Sequence, residues 1–348
     1  MSSGTLIPPA LQKGDTIALI SPSARLNEVL SAALARTRSQ LEGLGFNTKV
    51  IYHGALSGPH ISQVNKRVDE LNSAFADPSV KAIICTSGGN HASELLWRID
   101  YDLVRKNPKI FSGYSDITCL HNALLTQAGL RTFYGPTCLI EFGVFPAPIQ
   151  FTVDHFLKVL CNPGQAVGPF PRSKEWAPDL PSFVVGKDKD AEDAQVLVPS
   201  PNWRWVRPGK GEGRILGGVF TSLLETAGTK FWPDFQGAIL LLETSFSPAQ
   251  LGAPVPVART RSQLAQLANI GIFDQINGLV FGRQVGQSEQ FDAEVAQLLL
   301  DQCYGTNFPI LMNADFGHTD PKLTLPLGSL VRLDAEKDEF VGLEPAVL

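Results

Sequence analysis

The chain has 348 residues, enough for one large or two medium domains with real cores, and its 44% hydrophobic, 18% charged composition is that of an ordinary globular protein. A formal net charge of −5 argues against a general nucleic-acid binder or a ligand of anionic membranes, so neither nucleic acid nor membrane is expected as a partner. Five scattered cysteines (Cys85, Cys119, Cys138, Cys161, Cys303), odd in number and without a C-x-x-C pair, point to reduced thiols and a cytoplasmic address rather than disulfides or zinc.

The opening M-S-S-G-T-L-I-P-P-A-L-Q-K-G-D has neither the basic nor the apolar region of a secretory signal, and no apolar run reaches bilayer length. Thr16 to Ile20 reads as a buried strand closed by S-P-S-A, followed by a helical pattern from Leu26 to Leu44. Strand-like Phe46 to Tyr52, helical Val64 to Phe75 and strand-like Val80 to Cys85 come next, the last running into Ser87-Gly88-Gly89-Asn90. A helix over Glu94 to Ile99 and a strand over Thr132 to Tyr134 complete a series that predicts a parallel, doubly wound α/β sheet. Ligands of such sheets gather at the carboxyl ends of the strands.

Two stretches lie at such ends. In K-I-F-S-G-Y-S-D-I-T, residues 109–118, a short strand meets a helix through a corner holding Gly113, Ser115 and Asp116. Either Ser115 or Asp116 is a helix N-cap, or Ser115 sits on a nucleophile elbow with free N–H groups beside it. The G-x-S-x-G form of that elbow is not met, because Ile117 stands in the place of the second glycine. Gly88-Gly89 is either a turn needing positive φ or a loop whose N–H approaches a reacting carbonyl. No G-K-[ST] follows it, which disfavours a phosphate loop.

From Cys161 to Pro208 proline, glycine and charge accumulate, and three tryptophans appear (Trp176, Trp203, Trp205), a texture that predicts a linker and a long surface excursion. An indole in such a loop either stacks on a ligand or anchors the loop. A second, mixed α/β domain is expected from about Gly213. Its strands are predicted at Gly237 to Thr244, Ile276 to Phe281 and Phe308 to Met312, its helices at Leu264 to Ile270 and Phe291 to Leu300, and a hairpin at Ser329 to Leu333 and Glu339 to Leu343. The division is therefore 1–160, 161–212 and 213–348.

A serine nucleophile needs a base, commonly a histidine held by a carboxylate. Of six histidines, His318 stands out in N-A-D-F-G-H-T-D-P-K, after an apolar strand and directly after a glycine. Asp315, His318 and Asp320 could instead form a metal set, though one histidine without a second cluster makes a weak one. Glu243 ends the apolar run Ile239 to Leu242, where an unpaired carboxylate would be costly to bury.

Several blocks together resemble the LD-carboxypeptidase family of serine peptidases, and most closely its microcin C immunity branch. They are K-G-D-T-I-A-L-I-S-P-S at 13–23, A-I-I-C-T-S-G-G at 82–89, P-K-I-F-S-G-Y-S-D-I-T at 108–118 and F-Y-G-P at 133–136, then G-A-I-L-L-L-E-T at 237–244, G-I-F-D-Q-I-N-G-L-V-F-G-R at 271–283, D-F-G-H-T-D at 315–320 and L-P-L-G at 325–328. The resemblance implies a site between an N-terminal nucleophile domain and a C-terminal domain, with Ser115 as nucleophile, His318 as base and Glu243 as its orienter. It implies an oxyanion hole from the N–H groups of Gly89 and Asp116, with Gly88, Trp176 (of Glu175-Trp176) and position 219, here Val219, near substrate. It also implies hydrolysis of an amide next to a free carboxylate without metal or cofactor, in a homodimer, the substrate being an aminoacyl-nucleotide or small peptide amide. Muropeptide carboxypeptidase, silent amide binder and acyl transferase are the alternatives. The chain departs from the family at Val219, where G-G-N is usual, and at Ser245-Phe246-Ser247, where acids are usual, which points to a more apolar or different amide.

Overall fold

The computed structural model describes residues 5–54, 56–286 and 288–348. Strands β1 (Thr16–Ile20), β2 (Asn47–Ile51), β3 (Val80–Cys85), β4 (Ile110–Gly113) and β5 (Thr132–Tyr134) lie in the order β2-β1-β3-β4-β5, all parallel. Helices α1 (Ser31–Gly43), α2 (His60–Ala76), α3 (Tyr101–Lys106) and α4 (Thr118–Ala128) connect them, and α5 (Gln150–Leu160) follows. The doubly wound reading therefore holds. Both faces of the central strands are covered, which is why they read as unbroken apolar runs. Ile17 and Leu19 of β1 join one core cluster, while Ala18 and Ile20 join the other.

The first helix starts later than its sequence pattern, and the expected 94–99 helix is a single 3-10 turn, Ala92–Leu95. Helix α3 was not foreseen. Its six residues are too few to show periodicity, and the Asp100 side chain caps it by accepting the Leu103 N–H.

Residues 161–212 do more than span a surface. They contain β6 (Ala166–Pro169), β7 (Glu175–Trp176), α6 (Ser182–Val185), β8 (Val198–Pro199) and β9 (Arg204–Arg207), and β6 and β9 form the two edges of the second sheet. Edge strands can be short and rich in proline and glycine, because only one side of each is hydrogen-bonded.

After β10 (Lys210–Val219) and α7 (Phe220–Glu225) come β11 (Ile239–Glu243), a small hairpin of β12 (Phe246–Ser247) and β13 (Gln250–Pro254), α8 (Val257–Asn269), β14 (Gly278–Gly282), α9 (Glu289–Gln302) and β15 (Ile310–Ala314). Strands β16 (Leu325–Leu327), β17 (Leu330–Asp334) and β18 (Glu339–Pro345) end the chain. The second sheet runs β6-β18-β17-β10-β11-β14-β15-β9, parallel from β10 to β15 and antiparallel outside, so it is mixed as expected.

Strand β16 does not stay with this sheet. It pairs antiparallel with β5, Leu325 opposite Tyr134 and Leu327 opposite Thr132, and closes the free edge of the first sheet. One apolar cluster accordingly runs from Ile17 and Phe133 through Phe316 and Leu325 to Ile215 and Leu241.

Candidate active site

Strand β4 delivers the chain to Tyr114 in extended conformation and then to Ser115, whose φ is 62°. A non-glycine residue held there costs about 1–3 kcal/mol, as expected of a strained elbow. The Gly88-Gly89 loop lies directly against it. A Cβ at Gly88 would come within 2.7 Å of the Ser115 Cβ, and one at Gly89 (φ +153°) within 2.5 Å of the Ser23 Oγ. Both positions require glycine for close approach.

The N-cap reading of this corner is corrected. Helix α4 begins at Thr118 without a side-chain cap, and the Thr118 hydroxyl donates to the Ser115 carbonyl at 2.7 Å. The Asp116 carboxylate turns instead to the turn at residues 92–95. It accepts the N–H groups of His91 (2.8 Å) and Ala92 (2.9 Å) and the hydroxyls of Ser23 and Ser222 (3.2 Å). Asp116 thus caps a neighbouring element and ties the Gly88-Gly89 loop to the serine. Among the described residues, no acceptor takes the backbone N–H of Gly89 or of Asp116.

The second sheet supplies the other groups. Glu243 ends β11 wholly buried, and His318 lies in the loop after β15. The imidazole Nδ1 is 2.7 Å from Glu243 Oε2, and its Nε2 is 2.9 Å from Ser115 Oγ. A carboxylate only accepts, so Nδ1 carries the proton; Nε2 of the neutral ring is then the acceptor and the serine hydroxyl donates to it. The imidazole is held between two aromatic edges, Tyr114 at 5.1 Å and Phe246 at 4.9 Å between ring centroids. Ser115, Glu243 and His318, predicted separately, meet at one point.

The carboxylates of the metal alternative point elsewhere, which corrects that reading. Asp315 accepts from Arg283 Nη1 (2.9 Å), the Trp203 indole (2.6 Å) and the Ser173 N–H (3.2 Å). Burial raises its pKa despite the arginine. Asp320 lies 3.3 Å from Lys322 Nζ, which is 2.5 Å from Glu141 and 3.8 Å from the centre of the Tyr114 ring.

Two residues expected near substrate are buried. Trp176 is 6% exposed, with the Arg283 guanidinium 5.6 Å from its ring, and the next residue, Ala177, donates its N–H to the Asp320 carbonyl at 2.7 Å. The β7–β8 hairpin thereby pins this indole beside the loop carrying His318. Val219 is also buried, and its N–H donates to Thr118 Oγ1 at 3.2 Å. The glycines before it serve packing: a Cβ at Gly218 would clash with Thr118 and lie 3.0 Å from the Tyr134 ring.

Tyr134, Ser23 and Ser222 were not singled out from sequence. Tyr134 stands within the F-Y-G-P block and Ser23 in the turn after β1, but neither has a local pattern that announces a role. A cavity of about 470 Å³ opens beside Gly89, lined by Ser23, Arg25, Tyr52, Arg67 and Asn90 among others.

Residues 17–135 match the LD-carboxypeptidase N-terminal domain, and residues 212–333 match the LD-carboxypeptidase C-terminal domain. The chain belongs to the LD-carboxypeptidase family of serine peptidases. Within that family it is 30% identical over 343 residues to a carboxypeptidase-like protein of Vibrio cholerae, covering 95% of this chain and 96% of the relative. It is 28% identical over 347 residues to the microcin C7 self-immunity protein MccF of Escherichia coli, covering 96% and 94%. Among solved structures, MccF in complex with glutamyl sulfamoyl guanosine superposes with a TM-score of 0.87 at 26% identity, over 99% of this chain and all of that one. The LD-carboxypeptidase domain that matches residues 17–135 includes Ser115, and the one that matches 212–333 includes Glu243 and His318.

Proposed function

We propose that this family member hydrolyses an amide bond next to a free carboxylate, in an aminoacyl-nucleotide or related small peptide amide, through an acyl-enzyme on Ser115. The observation that carries this reading is the continuous hydrogen-bond chain Ser115 Oγ–His318–Glu243, with a strained serine at one end and a buried carboxylate at the other.

Ser115 Oγ attacks the carbonyl carbon while His318 Nε2 takes its proton, and Glu243 steadies the resulting imidazolium through Nδ1. The negative charge that develops on the carbonyl oxygen is held by the N–H groups of Gly89 and Asp116. The loss of one such donor typically lowers kcat by about 10²–10³. His318 then returns the proton to the leaving amine, the C–N bond breaks, and water, activated by the same imidazole, releases the acid from the serine ester. The cavity beside Gly89 gives part of the substrate a place to lie. Phe246, next to the imidazole, favours an apolar acyl group over an acidic one.

The test is incubation with leucyl- and glutamyl-sulfamoyl adenosine and with a tetrapeptide muropeptide, followed by intact-protein mass and by assay of the released amino acid. Ser115→Ala is expected to lose release by at least about 10³-fold. Release from the muropeptide alone would make the chain a murein carboxypeptidase of the same mechanism. A persistent adduct discharged only by added amine would make it a transferase, and neither release nor adduct would leave a binder. A cytoplasmic address, consistent with five free thiols, and homodimerisation belong to the same proposal. Cell fractionation and light scattering at micromolar concentration check them.

A further inference from the structure

The proposed relay has a fourth polar member that links its two ends. Tyr134 closes β5, is 1% exposed, and packs edge-on against Tyr114 and Phe316 at 6.3 and 6.2 Å between ring centroids. Its hydroxyl lies 2.5 Å from Glu243 Oε1 and 3.2 Å from the backbone nitrogen of Ser115. Glu243 presents Oε2 to His318, and its other oxygen would be a buried acceptor without a donor if this phenol were absent.

The directions of these two bonds follow from the donors available. The phenol has one proton, a carboxylate can only accept, and the Ser115 N–H can only donate. The O–H therefore points at Glu243, and the phenol's lone pair faces Ser115. Burial, and then the neighbouring carboxylate, raise the phenol's pKa well above its ordinary value, so it stays protonated.

We infer that Tyr134 is a positioning residue that fixes the orienting carboxylate and the strained serine as one unit, by donating to Glu243 Oε1 and accepting from the Ser115 N–H. This rests on the Ser115–His318–Glu243 reading above. The serine's own N–H is thereby committed to the phenol, and the oxyanion must rely on Gly89 and Asp116. Tyr134 also sets how much of the carboxylate's charge the imidazole feels, since a donor on Oε1 draws charge away from Oε2.

The test does not need the natural substrate. A fluorophosphonate is added to the full-length protein, and mass is followed over a range of pH. In this reaction Ser115 Oγ forms a bond to phosphorus, the P–F bond breaks, fluoride leaves, and the serine proton passes to His318. The wild type is expected to gain one adduct, absent from Ser115→Ala. Tyr134→Phe keeps the ring and removes the hydroxyl. It is expected to label about 10–100-fold more slowly at the pH plateau, with the acid limb of the rate profile moved to higher pH, because the carboxylate now leans harder on the imidazole.

Replacing Tyr134 by 3-fluorotyrosine, nearly isosteric and a stronger donor, should move the same limb to lower pH; this arm still decides the matter if Tyr134→Phe folds poorly. Opposite displacements support the inference, since a purely structural residue would slow labelling without moving the limb in either direction. Wild-type rate and acid limb in the variants would overturn it while leaving the serine reading intact. No labelling of the wild type would overturn both.

Discussion

At position 317 the backbone takes a φ of +107°, and a Cβ there would stand 2.8 Å from Glu243 Oε2, the oxygen that receives His318 Nδ1–H. Gly317→Ala is therefore expected to strain the loop by about 1–3 kcal/mol and to push the carboxylate off the imidazole. Its kcat should fall by about 10²-fold, with KM changed far less, in a steady-state assay on the substrate found above. The glycine before His318 was visible in the sequence, as was the acid ending four apolar residues at Glu243. Both signals are local, because each depends on a residue and its chain neighbours. Tyr134 left no such trace. Its two partners lie 19 and 109 positions away, and nothing in Thr132 to Tyr134 distinguishes a strand-end phenol that packs from one that bridges.

Among the elements, the loop between β15 and β16 is the one on which most depends. It carries His318, and the buried cation Lys322 holds it down between Glu141 and Asp320. Removing one partner from a buried ion pair leaves the other uncompensated, at a cost of about 3–5 kcal/mol. Lys322→Met is expected to lower stability by an amount of that order in urea denaturation, and Glu141→Gln in the same chain to restore part of it. The central strands were legible because burial on both faces makes them continuous apolar runs, as in β1, β3 and β11. The edge strands β6 and β9 were not. They lie in a stretch of proline, glycine and charge, and they exist because a sheet edge elsewhere accepts them. That Trp176 would be buried was not legible for the same reason, since the β7–β8 hairpin that carries it forms by long-range docking.

Across the whole molecule, two buried histidines contribute to the response to acid. His121 bonds the Gly113 carbonyl through Nε2 at 2.9 Å, and His155 accepts the Thr324 N–H at Nδ1. Burial pushes their pKa values down to about 4 and about 3, from an ordinary value near 6.5. Below that ordinary value the unfolded chain binds protons that the folded chain refuses, so stability falls as pH drops from about 6.5 towards 4. The expected loss by pH 5 is on the order of 1–2 kcal/mol for each histidine. Urea midpoints at pH 7 and pH 5 measure it, and His121→Gln or His155→Gln should each flatten part of the slope.

The pairing of β16 with β5 also bears on how the protein comes into being. Roughly 190 residues separate these partners along the chain. At about 5–20 residues per second, a ribosome needs on the order of 10–40 s to deliver the second after the first. During that interval the nascent first sheet carries an unpaired edge at Thr132 to Tyr134, open to any extended segment nearby. A polypeptide stalled before Leu325 should consequently recruit chaperones or self-associate, whereas one released after Leu327 should not. Pelleting of the stalled and the released chain from a translation extract would tell them apart.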